Sequence, residues 1–134
     1  GVLHLLAEDY GMIHLPQHAR DLDRFWLDGA LGYLDSIACD GRSGRHMPAL
    51  LERMGYLAID LVYLPVDTLR VPRALLAGIF EAWRDGYAEP LSHATGRPAA
   101  ELRADFDAMI ELVATPPNYA VWHVPIASAR RPWT

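Results

Sequence analysis

Lysine is missing altogether: the twelve basic residues of this 134-residue chain are all arginine. Seventeen acidic residues outnumber them and leave a net charge of −5. That balance argues against nucleic acid or an anionic membrane surface as the main partner, because gripping phosphates needs a basic face. Cysteine is almost absent too. Cys39 stands alone, which rules out an intrachain disulfide and points to a reducing compartment. No apolar run approaches the roughly 18 residues a membrane span needs. No basic region followed by a cleavage site opens the chain, so the expectation is no signal peptide and a cytoplasmic location. Also missing are internal repeats, a GxSxG nucleophile elbow and a GxGxxG phosphate loop. Arginine without lysine, together with abundant alanine, is the composition of a GC-rich bacterial genome.

What is present is hydrophobic: 51% of the residues are apolar or aromatic, enough for a single globular domain over 1–134 with a real core. Val2 to Ala7 is a nearly unbroken apolar run, the pattern of a strand buried on both faces of a parallel sheet. It stops at Glu8-Asp9-Tyr10-Gly11. In open α/β sheets ligands bind in the crevice beyond the carboxyl ends of the strands, so this acidic and aromatic tip is the leading site candidate.

Asp21 is placed to cap a helix with the stripe Leu22, Phe25, Trp26, Ala30, Leu34, Ile37 and Ala38, ending near Cys39. A second helix is expected from Arg42 to Met54, with Pro48 tolerable only near its first turn and Gly55 as its stop. Tyr56 to Leu64 reads as a second strand with Leu57, Ile59, Leu61 and Tyr63 on one face. A long helix begins at Pro72 and should kink or split at Pro90. A further helix follows Gly96-Arg97-Pro98, and Tyr119 to Ile126 is the third strand. The tail from Ser128 to Thr134 is expected to fray. Three strands are few for an α/β sheet, and a central strand at the start of the chain implies further structure upstream.

The series resembles the C-terminal half of a class I, S-adenosylmethionine-dependent methyltransferase. The residues that carry the resemblance are Gly1-Val-Leu-His-Leu-Leu-Ala-Glu-Asp-Tyr-Gly-Met-Ile-His14, Gly44-Arg-His-Met-Pro-Ala-Leu-Leu-Glu-Arg-Met-Gly-Tyr56 and Tyr119-Ala-Val-Trp-His-Val-Pro125. The resemblance implies a partial Rossmann-like α/β fold with about four helices and three strands, near 2–7, 56–64 and 119–126. The last strand would lie antiparallel between the other two. It further implies methyl transfer to a small-molecule acceptor, with S-adenosylmethionine as cofactor. The glycine-rich loop and ribose-holding acid that bind this cofactor are absent. The glycine pairs Gly29/Gly32 and Gly41/Gly44 do not supply them, so no cofactor-binding residue is assigned in this chain, and the isolated chain is expected to be inactive.

Methyl transfer needs a positioned nucleophile, exclusion of water and one base. On this reading Glu8, Asp9 and His14 are the candidate catalytic residues. Tyr10, Phe25 and Trp26 are the candidate substrate-binding residues, the last two as an aromatic lid or as plain core. Imidazole titrates near neutral pH, which suits His14 to the base role. A turn in which one carboxylate of Glu8 and Asp9 caps a helix or pairs with an arginine remains an equal alternative. His14 and His18 with a nearby carboxylate could suggest a metal site, but Pro16 between them blocks a regular helix, and no metal is assigned. An alternative of a different class is a non-catalytic dimerisation or interaction domain. Either way, the Val2–Ala7 edge is expected to be covered by a second copy, giving a homodimer, or by strand exchange or an upstream fragment.

Overall fold

The computed structural model describes residues 1–132. Its centre is a strand near the end of the chain, β4 (Val121–Arg130). Along one side of β4 runs β3 (Leu57–Asp67); along the other lie β1 (Val2–Leu6) and the short β2 (Ile13–His14), end to end. Every pairing is antiparallel, so β1 and β3 run parallel to each other with β4 reversed between them. The third long strand thus lies between the other two, as expected. The architecture is mixed α/β with an open antiparallel sheet.

β1 and β2 are separated because the chain leaves β4 opposite Pro125. The Pro125 carbonyl accepts from the Ala7 N–H at 3.1 Å, so its donor-less nitrogen faces the same side. There the chain lifts off, forms a 3₁₀ turn at Tyr10–Met12 and returns as β2. A proline in a central strand thereby positions the Glu8–Tyr10 turn.

The helices cover the sheet unevenly. Asp21 caps α1 (Leu22–Arg24), accepting from the Arg24 N–H at 3.0 Å. α1 runs on without a break through a π-helical stretch (Phe25–Leu31) into α2 (Gly32–Ser36). The wider π turn changes the phase: Leu22, Phe25, Trp26, Gly29 and Leu31 are buried, whereas Ile37 is exposed. Next come α3 (Ser43–Arg53), α4 (Arg73–Thr95) and α5 (Ala99–Ala114). Counting α1 to α2 as one, there are four helices among the described residues. Pro48 lies beyond the first turn of α3. Pro90 does not split α4; the carbonyl its ring crowds belongs to Gly86, whose backbone has no Cβ to restrain it. Gly96, at φ +70°, closes α4 by accepting the left-handed conformation.

α3 packs on one face of the sheet through Leu51 and Met47, against Leu3, Leu5, Leu61, Ala127 and Ala129. The α4–α5 pair and the Phe25–Trp26 segment cover one end of the opposite face, at Ile13, Val66 and Trp122. Along β1 and the middle of β3 that face is bare, although Val124 of the central strand is buried. Val2 is 62% exposed and Leu6 70%, with Val62 and Leu64 also open. The expectation that β1 is buried on both faces in a parallel sheet therefore fails: α3 covers one side, and no described element covers the other.

The expected single face for Leu57, Ile59, Leu61 and Tyr63 also needs correction. Ala58 adopts φ +48°, and two residues of β3, Ala58 and Ile59, oppose the single Ala129 of β4. This bulge turns Leu57 out of the stripe, leaving it 59% exposed. β3 continues through Pro65 to Asp67, which an edge strand tolerates. The expected fraying is corrected up to Arg131: Ser128–Arg130 belong to β4, and the Arg131 N–H donates to the Gly1 carbonyl at 3.0 Å. Trp133 and Thr134 lie outside the described residues.

Candidate functional site

The turn after β1 is gripped by the start of α3. The Glu8 carbonyl accepts from the Gly44 N–H at 3.0 Å and from the Ser43 hydroxyl at 3.2 Å. Gly44 is required there, since a Cβ would stand 2.0 Å from Pro125 Cγ. One residue on, Asp9 is fully buried and takes a two-pronged bond from Arg45, Nε at 2.6 Å and Nη2 at 2.8 Å. Asp9 also accepts from the Gly11 N–H at 3.0 Å. With its oxygens engaged in this way, Asp9 holds the turn and presents no free carboxylate to a ligand. That is the arginine-paired alternative.

Glu8 is exposed, and the Tyr10 hydroxyl donates to its Oε2. Burial, followed by the bond to Glu8 and its charge, pushes the Tyr10 phenol far above its ordinary range. Tyr10 is therefore a hydrogen-bond donor at neutral pH and cannot serve as the base. His14 lies elsewhere. Side chains alternate along β2, so while Ile13 enters the core under α4 and α5, His14 points to the opposite face. Its aromatic neighbour is His123, with ring centroids 5.9 Å apart, and the expected grouping of His14 with Tyr10 does not form. Among the described residues no cluster of three or more His, Cys, Asp or Glu side chains is placed to hold a metal.

The Tyr10 ring stands between Trp26 and Trp122, nearly parallel to both, with centroids at 5.9 and 6.2 Å. Trp83 meets all three edge-on. Beside this stack opens a cavity of about 40 Å³, walled by Tyr10, Trp26, Tyr33, Trp83, Tyr87 and Phe106. That is well below small-molecule sites, which span about 300–1,000 Å³, and is room for a water or two. Phe25 is core, packed edge-on against Phe106 at 4.9 Å. Trp26 is both core and cavity wall. The indole nitrogens of Trp26 and Trp122 are buried without a hydrogen-bond partner among the described residues.

Trp83, Tyr33, Tyr87 and Phe106 are aromatic walls that the linear reading missed, and it also missed the packing of Trp122 on Tyr10 and Trp83. Trp83 and Tyr87, four apart on α4, were visible as one helical stripe, but nothing in the chain announced that Trp122 would face them. The glycines give no cofactor cradle. Gly55 and Gly96, the two with positive φ, sit at helix ends; Gly29 and Gly32 lie within helices, and Gly44 is packed on Pro125. The described residues do not fit S-adenosylmethionine.

No protein-family model matches this sequence, and a search of curated proteins gives no match either. Among the described residues no helix is long and apolar enough to cross a membrane.

Proposed function

We propose that this chain is the substrate-side half of a Rossmann-like, S-adenosylmethionine-dependent methyltransferase acting on a small molecule in the cytoplasm. The observation that carries the proposal is the strand arrangement, with long β4 reversed between two mutually parallel strands, as the family resemblance implies. The aromatic cluster at the β1 tip, Tyr10 with Trp26, Trp83 and Trp122, supports a small-molecule acceptor by offering it ring faces and edges. Beside it Glu8 is the base: an exposed carboxylate that receives the Tyr10 hydroxyl, able to accept the proton of an acceptor hydroxyl or amine. Tyr10 holds Glu8 in place, and Trp26 excludes water. The cofactor would be bound by residues outside this chain.

The test is calorimetric titration of S-adenosylmethionine and its demethylated product. The chain alone should give no binding, and the chain joined to the sequence encoded upstream of it should bind both. Tight binding by the chain alone would overturn the assignment. Absence of binding in both forms would favour a second reading, a dimerisation or interaction domain. The bare face of Val2, Leu6, Val62 and Leu64, beside a β1 edge that pairs with no other described strand, favours that reading.

A further inference from the structure

We propose that an open cleft of about 700 Å³, between the α1–α2 helix and the turn from α4 to α5, binds a small molecule that joins a carboxylate to a flat apolar body. The site is separate from the β1 tip, and its ligand does not depend on the methyltransferase reading. The volume lies within the range of small-molecule sites, about 300–1,000 Å³.

The first argument is a pair of arginines. Asp105 of α5 is 4% exposed, and each of its carboxylate oxygens receives a different guanidinium. Arg20 Nη1 donates to Oδ1 at 2.8 Å, and Arg97 Nη2 donates to Oδ2 at 2.6 Å. All three residues line the cleft. One buried carboxylate thus fixes two cations side by side and leaves one positive charge over. Nε and Nη2 of Arg20 and Nη1 of Arg97 donate to no acceptor among the described residues. Glu101 stands 3.7 Å from Arg97 Nε, beyond hydrogen-bonding distance. Spare N–H groups on two guanidiniums are the donors that a carboxylate accepts in parallel. The two side chains are 41% and 37% exposed, so a ligand reaches them from solvent.

Charge sets the class. Of the other charged residues on the wall, Arg24 and Asp28 pair with each other at 2.8 Å and cancel. Asp21 caps α1, its Oδ1 accepting from the Arg24 N–H at the positive end of the helix. The one surplus charge at Asp105 therefore matches a monoanion. A phosphate ester dianion would keep a charge uncompensated, and a cation would meet two arginines.

Shape gives the rest of the ligand. Gly29 and Gly32 lie on the wall about one turn apart. A Cβ on Gly32 would meet nothing within 4 Å, and one on Gly29 only the Phe25 ring, at 4.0 Å. The helix backbone is open there, with Tyr33 and Ala94 beside it, and a flat apolar body can lie close against it. This helix carries the π-helical stretch, a departure from regular geometry that is frequent at functional sites. The rival account is a purely structural bridge, in which Asp105 ties the loop before α1 and the α4–α5 turn to α5.

The experiment is titration of the ¹⁵N-labelled chain with benzoate, benzamide and phenyl phosphate at constant ionic strength. The signals to follow are the Gly32 amide and the Nε groups of Arg20 and Arg97. Benzoate should bind saturably and shift all three. Benzamide, of the same shape without the charge, should bind about tenfold more weakly, the difference between a charged and a neutral hydrogen-bonded contact. Phenyl phosphate should also bind more weakly than benzoate. Arg97→Met should lower benzoate to the affinity of benzamide and leave benzamide unchanged. Gly32 has the helical angles φ −61° and ψ −39°, so Gly32→Leu should fold, fill the cleft and weaken both ligands. Should Arg97→Met not fold, the benzamide comparison and Gly32→Leu decide. The structural bridge predicts no saturable benzoate binding. That result, equal affinity for benzoate and benzamide, preference for phenyl phosphate, or binding indifferent to Gly32→Leu would each overturn the proposal.

Discussion

Replacing Arg45 by methionine should cost about 2–3 kcal/mol of stability, because it isolates a buried carboxylate. Asp9 is fully buried and has three donors: two from Arg45, at 2.6 and 2.8 Å, and the Gly11 N–H at 3.0 Å. Arg45→Met keeps the aliphatic packing and removes two of the three. Breaking a buried ion pair from one side costs about 3–5 kcal/mol. The Arg45 side chain is 41% exposed, so water can partly replace it, and the lower figure follows. Asp9→Asn keeps an oxygen for Gly11 and leaves an arginine that can turn to solvent, at about 1–2 kcal/mol. The double variant should be less damaged than the sum, with a coupling of about 1.5 kcal/mol.

Urea unfolding followed by tryptophan emission reads these quantities, since Trp26, Trp83 and Trp122 surround the turn that the pair holds. An Arg45→Met variant within about 0.5 kcal/mol of the parent would refute the reasoning, because that is the scatter of ordinary surface substitutions. So would strict additivity. A gain in stability on Asp9→Asn would restore Asp9 as a functional group, since sites built for function are often strained at the expense of stability.

Two further predictions concern packing and pH. Gly44→Ala should destabilise by about 2 kcal/mol or more by overpacking α3 on β4, because its Cβ would lie 2.0 Å from Pro125 Cγ; the same urea titration measures it, and a neutral result would refute the close approach. Asp67 is buried at the end of β3. Burial pushes its pKa up, but the N–H groups of Arg70 and Leu69 and the Arg70 guanidinium outweigh this and hold it below the usual carboxylate range. A carboxyl whose folded pKa is depressed stabilises above its unfolded pKa, and loses that contribution as pH falls through the folded value. Asp67→Asn should therefore lower Tm at pH 7, and the gap from the parent should narrow as pH drops below about 4; a gap that stays constant to pH 2 would refute the assignment.

The three long strands were legible as segments because apolar runs and turn residues mark them locally, whereas the two-residue β2 was not expected. The Asp21 cap and the Gly96 stop are likewise local signals. Phase was less legible. A single left-handed residue, Ala58, and the π turns from Phe25 to Leu31 each rotate a stripe, and periodicity read from the chain assumes that neither occurs. Exposure of β1 was not legible at all, because burial of a strand depends on which elements lie over it. The site divided in the same way. Glu8 and Tyr10 are two residues apart and meet, whereas the partner of Asp9 lies 36 residues downstream. His14 was lost to simple alternation along β2.

The bare sheet face and the aromatic cavity belong to one surface. Paired residues of antiparallel strands share a face, so Leu6 and Val62, both opposite Ile126, continue the row that contains Trp122. The α4–α5 pair ends within that row, and the turn carrying Glu8 and Tyr10 leaves the sheet at the same edge. Whatever covers Val2, Leu6, Val62 and Leu64 would therefore approach the turn that forms one wall of the cavity. This ties the two functional readings to one physical event. A cofactor-bearing segment on that face would complete the site, and a second copy of the chain there would leave it an interface. Substituting the face with Leu6→Glu and Val62→Lys separates them: on the enzyme reading the pair abolishes donor binding in the extended chain, and on the interface reading it dissociates a dimer of this chain, as sedimentation would register.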